Sequence, residues 1–261
     1  MAAGVAPIVP LYEMTGKASG DLWVAGVDGY PGGWLIALAR GTGAEARVHV
    51  APRFDDVLAL MEGAAVIAID IPIGLPARVG AGGRAPERLV RPLLGERQSS
   101  VFSVPARAAL WAADYREACA IALATSDPAR KVSKQLFMLA PKIREVDAAL
   151  RAHPEVVARV FEVHPELAFW RLNADCALGE PKKVKGRCYE PGIALRRRLL
   201  VAAGLPAGAV HANPPSGAGE DDLLDALACA AIALRIAAGR AQSFPYPPER
   251  DEYGLRIAIW A

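Results

Sequence analysis

Acidic side chains close several of the apolar segments in this sequence. Asp28 ends the first apolar run and Asp70 ends a later one, while Asp222 and Asp225 lie three residues apart in the last long helical pattern. Ligands of α/β sheets bind beyond the strand ends, so two neighbouring strands that end in Asp can present both carboxylates to one crevice. An i, i+3 spacing places the two helical acids on a common face, one turn apart.

Four carboxylates brought together have consequences for their chemistry. They repel one another, which raises their pKa values unless a divalent cation keeps them ionised. Oxygen ligands favour Mg²⁺ or Mn²⁺ over zinc, and the sequence has no Cys or His set with zinc spacing. Two such ions about 4 Å apart can activate a water and stabilise the leaving oxygen of a phosphodiester. The acids therefore predict a divalent metal.

Each acid also has a purely structural interpretation. Asp28 and Asp70 both precede turn residues, where either can form an Asx-turn. Asp222 can favour the positive N-terminus of its helix. Asp225 differs because its helical face continues through apolar residues, where an unpaired carboxylate is costly to desolvate. We therefore expect Asp225 to meet a cation or a hydrogen-bond donor.

A second polar group lies at residues 161–166, which read FEVHPE. On a strand, Glu162 and His164 point to the same face, so both can look into the crevice. Glu162 fits a further ligand or a general base, and His164 fits a proton shuttle or a phosphate contact. A hydrogen bond within the core explains His164 equally well, and the helix dipole explains Glu166.

Basic residues concentrate in two loops, which fits phosphate recognition. The first loop carries Arg84, Arg88, Arg91 and Arg97, and the second carries Lys182, Lys183, Lys185 and Arg187. A solvated charged face is the alternative for either group. From these loops we select Arg84, Lys182, Lys183 and Arg187 as candidate substrate contacts. The three arginines at 196–198 lie in a helical pattern and are expected on the surface.

The elements that must position these residues follow from apolar periodicity. Runs at 23–28 and 34–39 around Gly-Tyr-Pro-Gly-Gly predict a β-hairpin. The alternating run 47–51 predicts a third strand, and the continuous run 64–70 predicts a buried, central fourth strand. Further strands are expected at 156–164 and, as a final edge strand, at 255–260. Helices are expected at about 54–61, 86–94, 106–125, 133–151, 165 onward, 192–203 and 221–238.

Length and composition limit the protein class. The chain has 261 residues, of which 53% are hydrophobic and 22% are charged, and this composition excludes a wholly disordered protein. Its formal net charge of +2 excludes a histone-like, polycationic nucleic-acid-binding protein. We expect a flexible tail at 1–22 and a single domain at 23–261, with a helical insertion around 80–152. The four cysteines form no CxxC pair and are expected as reduced thiols. No signal or membrane segment is evident, so a cytoplasmic location is expected.

Several ordered motifs resemble the family catalogued as domain of unknown function 429. They are GVDGYPGGW at 26–34, AIDIPIGLP at 68–76, EVHPE at 162–166 and DDLLDAL at 221–227, with smaller similarities at 133–135 and 182–187. Members are regarded as predicted nucleases with a ribonuclease H-like fold. The resemblance implies an α/β protein whose mixed sheet has three antiparallel strands leading into parallel ones, flanked by helices.

The same resemblance implies roles for individual residues. The DxxDAL pattern at 222–227 is similar to the final-helix acidic pair of RuvC-like junction resolvases. By that likeness, the metal ligands would be Asp28, Asp70, Asp222 and Asp225, binding Mg²⁺ or Mn²⁺. These four acids and Glu162 would be catalytic. Lys134 and His164 fall in the family's motifs and join the candidate substrate contacts.

We therefore expect a Mg²⁺- or Mn²⁺-dependent nuclease acting on a structured or single-stranded nucleic acid. Two other functions compete with it. A phosphotransferase of the actin-like kinase group shares the same core, and Asp28-Gly29 resembles its first phosphate loop, although Tyr30 and Pro31 replace the expected hydroxyl and glycine contacts. A non-catalytic binding module would retain the acids for a structural ion or for helix starts.

Overall fold

A computed structural model describes residues 22–41, 45–61 and 63–261. The strands among these residues are β1 (Trp23–Tyr30), β2 (Gly33–Arg40), β3 (Glu45–Ala51), β4 (Val66–Ile69), β5 (Val160–Val163), β6 (Lys183–Val184), β7 (Arg187–Cys188), β8 (Ser243–Arg250) and β9 (Arg256–Trp260). The tail predicted at 1–22 lies outside the described residues except for residue 22, so that division of the chain stays a prediction.

The described helices flank the sheet. They are α1 (Phe54–Leu60), α2 (Ala85–Val90), α3 (Arg107–Leu110), α4 (Tyr115–Thr125), α5 (Lys134–Ala152), α6 (Pro165–Leu172), α7 (Glu190–Ala202), α8 (Ala207–Val210) and α9 (Glu220–Ala237). Two 3₁₀ segments cover Arg91–Ser100 and Pro154–Arg159. Within the described part of the chain, every helix is too short or too polar to cross a membrane. The four cysteines, all described, form no disulfide.

The main sheet has seven strands in the order β3-β2-β1-β4-β5-β9-β8. Strands β1, β2 and β3 pair antiparallel, β1, β4, β5 and β9 pair parallel, and β8 pairs antiparallel with β9. The α/β class, the opening hairpin and the central position of β4 are thereby confirmed.

The expectation that 255–260 forms an edge strand is wrong. β9 lies between β5 and β8, and β8 forms the edge. The sequence of β8 is SFPYPPER, and its three prolines argue against a central strand. At an edge, a residue without an N–H can face away from the ladder, which is why this proline-rich segment is tolerated there.

One predicted helix and one predicted strand have different bounds in the structure. The helix expected at 106–125 is broken at residues 111–114, because Asp114 starts α4 by accepting a hydrogen bond from the Glu117 N–H at 2.8 Å. The strand expected at 156–164 is shortened to β5 by the 3₁₀ segment that Pro154 opens. Ser133 caps α5 as predicted, with its Oγ 3.2 Å from the Leu136 N atom.

One apolar cluster lies on each face of the sheet. Helices α6, α7 and α9 cover one face, and α1, α4 and α5 cover the other. Arg196 of α7 is fully buried in the first layer, where it donates to both carboxylate oxygens of Glu166 at 2.6 and 2.8 Å. The expectation that Arg196 lies on the surface is therefore wrong, because this buried carboxylate requires a cation.

Helix α9 approaches β1 closely at Gly26. A Cβ added at this glycine would lie 2.1 Å from both the Ala226 carbonyl oxygen and the Ala230 nitrogen. Only a residue without a side chain permits this contact between strand and helix. The contact fixes the position of α9 along β1. It therefore determines how close the residues before Ala226 lie to the end of β1.

We expect Gly26→Ala to lower the free energy of unfolding by about 1–3 kcal/mol or more, because the added Cβ would clash with backbone atoms that cannot rotate away. Urea unfolding measures the effect. Gly208→Ala is the control, since no atom lies within 4 Å of its added Cβ, and because Gly208 lies in α8 the change should leave stability unaltered or raise it by up to about 1 kcal/mol. Equal stabilities of the two variants would refute the close approach.

Candidate functional site

The register of the parallel strands brings two predicted acids together. Val27 of β1 lies opposite Ile69 of β4, and the Asp70 N–H donates to the Val27 carbonyl oxygen at 2.9 Å. Asp28 and Asp70 are the next residues of their strands, so they occupy neighbouring positions at the same sheet end. Helix α9, packed on β1, adds Asp225 to this end.

A pocket of about 280 Å³ opens at this end of the sheet. We call it the acidic pocket. Its lining includes seven carboxylates, which are Asp28, Asp70, Glu87, Glu162, Asp221, Asp222 and Asp225. The structure therefore brings together all five acids that the sequence nominates as catalytic, although their catalytic role stays a prediction.

Asp225 is the most completely enclosed of the predicted metal ligands, with 3% of its surface exposed. Its Oδ2 forms an ion pair with the Lys182 ammonium, which confirms the expectation of a cation partner. Its Oδ1 has no hydrogen-bond partner among the described residues. Burial raises the pKa of Asp225 despite the opposing effect of Lys182. One buried oxygen of this carboxylate thus lacks a stabilising contact.

Asp28 and Asp70 experience the same crowding. Burial and then the charges of Asp70 and Asp225 raise the pKa of Asp28 well above its usual value. Burial and then the charge of Asp225 raise the pKa of Asp70 to about 8. Asp28 also accepts a hydrogen bond from the Gly29 N–H at 2.8 Å, so it stabilises the turn as well. Without a bound cation, these carboxylates oppose one another's ionisation.

The raised pKa of Asp70 predicts a pH dependence of stability. In a chelating buffer, the folded protein retains a proton up to about pH 8 that the unfolded chain releases near pH 3.8. The free energy of unfolding should therefore fall as pH rises between these values, by at most about 1.4 kcal/mol per pH unit for this group. Urea unfolding at pH 5, 6, 7 and 8 measures it.

Asp70→Asn supplies the control for this titration, because the amide carries no titrating proton. Its stability should fall less steeply across the same range than that of the unaltered protein. Identical slopes for both proteins would contradict the assigned pKa shift of Asp70.

The start of α9 contributes two acids to the acidic pocket. Asp222 accepts a hydrogen bond from the Gly219 N–H at 2.7 Å and so stabilises the helix start, while also lining the acidic pocket. Asp221 is more deeply buried and pairs with the Lys183 ammonium at 2.6 Å. Sequence reasoning omitted Asp221 from the site. Asp221 lies four residues before Asp225, so the two side chains share one face of the helix. This spacing was the signal that could have identified Asp221.

Glu162 is held by a buried ion pair. The Arg84 guanidinium donates to its two oxygens at 2.6 and 3.1 Å, and the Ile73 N–H donates at 2.7 Å. Burial raises the pKa of Glu162 to about 7, although Arg84 opposes this shift. A carboxylate with both oxygens engaged is not placed as a free general base in this structure.

Arg84 lines the acidic pocket and is engaged by groups of the protein itself. It is buried, and besides Glu162 it donates to Glu87 at 2.8 Å and to the carbonyl oxygens of Ile73 and Gly74 at 2.6 and 3.0 Å. These contacts give Arg84 a structural role, and because it also lines the acidic pocket, a role in substrate binding stays a prediction. Arg84 and Glu162 together fix the loop that directly follows Asp70.

The remaining basic candidates divide by position. Lys182 lines the acidic pocket, and the charge of Asp225 raises its pKa in spite of the lowering effect of burial. The neighbouring Lys183 forms the ion pair with Asp221. Lys134 and Arg187 do not line the acidic pocket: Lys134 starts α5 with its ammonium 6.0 Å from the Tyr115 ring centre, and Arg187 is exposed on β7.

His164 lines the acidic pocket and also makes a hydrogen bond within the protein. Its Nε2 lies 3.3 Å from the Ser100 carbonyl oxygen, which requires the proton to be on Nε2. Its Nδ1 has no partner among the described residues. Burial lowers the pKa of His164, so the ring is neutral near pH 7. The core hydrogen bond is thus present, and a role in substrate binding stays a prediction.

The donor chemistry of the acidic pocket suits a hard divalent cation. Its carboxylates are all-oxygen donors, and the buried Oδ1 of Asp225 is unsatisfied. Among residues 22–41, 45–61 and 63–261, however, no three His, Cys, Asp or Glu side chains already stand together as a metal-binding group. The Lys182 ammonium supplies the positive charge at Asp225 instead.

Comparisons with known proteins give one family. No curated protein and no solved structure matches the chain. The family model described as "Protein of unknown function (DUF429)" matches residues 26–250, which include every acid of the acidic pocket. The match covers most of the chain, and the protein therefore belongs to the DUF429 family.

Proposed function

We propose that the protein is a Mg²⁺- or Mn²⁺-dependent nuclease that hydrolyses phosphodiester bonds of a nucleic acid. One observation carries the proposal: acids at the ends of β1 and β4 and on α9 line a single pocket, where burial and then neighbouring carboxylate charges raise the pKa values of Asp28 and Asp70. Such crowding of carboxylates opposes folding, so its presence in a pocket favours a functional explanation.

The sheet topology supports a ribonuclease H-like core. Strands β1 to β3 form an antiparallel unit that continues into parallel β4 and β5, as the family resemblance implies. In this arrangement the acids of β1 and β4 lie at neighbouring strand ends. Fold alone does not establish activity, so the proposal depends on the acidic pocket.

Asp28, Asp70, Asp222 and Asp225 would hold the metal. When bound, the metal would lower the pKa of a coordinated water and neutralise charge on a phosphate oxygen. The four acids would position the metal, and the Oδ1 of Asp225, which has no hydrogen-bond partner among the described residues, could serve as a metal ligand. The two carboxylate oxygens of Glu162 stay with Arg84 and Ile73, so Glu162 would support the loop after Asp70.

The β6-β7 hairpin provides the positive charge for a polyanion. Its turn residues Lys185 and Gly186 both have positive φ, 51° and 76°, typical of a tight two-residue hairpin turn. This turn places Lys182 and Lys183 over the acids of α9 while Lys185 and Arg187 remain exposed. Lys182 would contact the phosphate next to the scissile bond, and the exposed pair would contact the flanking backbone.

A cleavage assay tests the proposal. Labelled single-stranded, duplex, branched and RNA–DNA hybrid substrates are incubated with the protein in Mg²⁺, in Mn²⁺ and in a chelator. We expect cleavage of at least one substrate that requires the metal and is lost in the chelator. Intact substrates under every condition would contradict the proposed function.

A further inference from the structure

One wall of the acidic pocket is apolar and carries an aromatic ring. Phe102 lines the pocket and is partly exposed, together with the partly exposed Leu139. The neighbouring Val101 and Val104 also line the pocket but are buried, with 5% and 2% of their surface exposed. Phe102 thus contacts the core without being enclosed by it, and part of its surface faces the space in front of the acids.

The backbone on both sides of Phe102 is fixed by buried and half-buried polar groups. The Arg91 guanidinium donates to the Val101 carbonyl oxygen at 3.0 Å and to the Ser103 Oγ at 2.8 Å. His164 holds the Ser100 carbonyl oxygen from inside the pocket. Arg91, Ser103 and His164 therefore fix the backbone on both sides of Phe102 and leave its ring partly exposed. A rigidly held, partly exposed ring is suited to receive a flat ligand.

The size of the acidic pocket limits what that ligand can be. Its volume of about 280 Å³ lies near the lower end of the roughly 300–1,000 Å³ that is typical of small-molecule sites. A base pair inside a duplex cannot enter such a space, whereas a single unstacked nucleotide is of the right scale. Every base has a π-face that stacks on an aromatic side chain, whatever its sequence.

We propose that Phe102 is the stacking platform for one unpaired base next to the scissile phosphate, so that the substrate is single-stranded or has an extruded nucleotide. This inference rests on the proposed function, because phosphodiester hydrolysis defines the scissile phosphate beside which the base would stack. It adds a base-binding subsite of Phe102 and Leu139 to the acids and to Lys182. Structured nucleic acids would then be bound at loops, ends or junctions where a base is free.

Binding of labelled oligonucleotides tests the subsite without cleavage. Fluorescence anisotropy gives Kd for a 12-nucleotide single strand and for the blunt duplex of the same sequence, in a chelator and at one salt concentration. We expect the unaltered protein to bind the single strand more tightly. Phe102→Ala and Phe102→Leu should each weaken single-strand binding by about 5- to 100-fold and leave duplex binding unchanged. Phe102→Trp should retain the affinity.

Controls separate stacking from packing. Phe102→Leu keeps an apolar side chain of similar volume, so its thermal unfolding should match that of the unaltered protein while its single-strand affinity falls. Trp111→Ala removes an aromatic side chain that is 41% exposed and does not line the acidic pocket, and it should bind as the unaltered protein does.

The outcomes also separate this inference from the nuclease proposal. Absence of single-strand binding, equal loss for single strand and duplex, or no loss in Phe102→Ala would each overturn the stacking platform. Binding that depends on Phe102 without metal-dependent cleavage would sustain the subsite and contradict only the nuclease function. Metal-dependent cleavage by Phe102→Ala with an unchanged strand preference would sustain the nuclease function and contradict the subsite.

Discussion

Asp70→Asn and Asp225→Asn are each expected to lower the Mg²⁺-dependent cleavage rate by at least about 100-fold, equivalent to about 2.7 kcal/mol or more of barrier. An amide is nearly isosteric with the carboxylate but carries no charge to hold a divalent ion. Asp225 lies buried with one unsatisfied oxygen, and Asp70 follows the central strand at the same pocket. Single-turnover cleavage of a labelled strand gives the rate.

Folding controls distinguish a lost ligand from a lost fold. Asp70→Asn should be at least as stable as the unaltered protein in a chelator at pH 7, because the raised pKa of Asp70 makes its carboxyl group destabilising at that pH and the amide does not titrate. Asp55→Asn changes an exposed aspartate in the first turn of α1 and should leave the rate within about twofold. Full activity in either pocket variant would remove that carboxylate from the site.

Arg84→Met is expected to lower the free energy of unfolding by about 3–5 kcal/mol. The substitution preserves much of the side-chain volume but leaves Glu87 and Glu162 as buried carboxylates without their common cation. It also removes the hydrogen bonds to the Ile73 and Gly74 carbonyl oxygens. Urea unfolding at pH 8 measures the loss.

An exposed arginine supplies the comparison. Arg53 pairs with Asp56 at 3.5 Å at the surface, so Arg53→Met should cost less than about 1 kcal/mol. Restoring neutrality in a triple variant, Arg84→Met with Glu87→Gln and Glu162→Gln, should recover part of the loss. A cost for Arg84→Met as small as that for Arg53→Met would show that the buried network does not stabilise the fold.

The strands that position the site follow from local patterns in the sequence. Runs of apolar residues closed by Asp28 and Asp70 predict two strand ends, and the parallel register of β1 and β4 then places them side by side. Asp225 is identifiable because a carboxylate on an apolar helical face requires a partner. That partner, Lys182, lies 43 residues away in the chain and enters through a hairpin of two-residue strands. No local pattern predicts such a pairing.

Two arginines show why a buried ion pair cannot be predicted from the sequence alone. Arg84 and Arg196 read as surface or substrate-binding cations, but each is buried against a glutamate distant in the sequence, 78 and 30 residues away. Composition cannot reveal a buried ion pair, since the same residues also occur on solvated faces. Phe102 escaped notice because one aromatic residue in an irregular loop has no periodic signal, and only the tertiary structure shows that it lines the pocket.

The central claim is that the acids of β1, β4 and α9 together hold a divalent cation. Crystals soaked in Mn²⁺ and measured at an anomalous wavelength test it most directly. The account predicts an anomalous peak in the acidic pocket in contact with Asp28, Asp70 and Asp225, with the Lys182 ammonium displaced from Asp225. A soaked crystal in which Lys182 still occupies Asp225 and no peak lies in the pocket would contradict it.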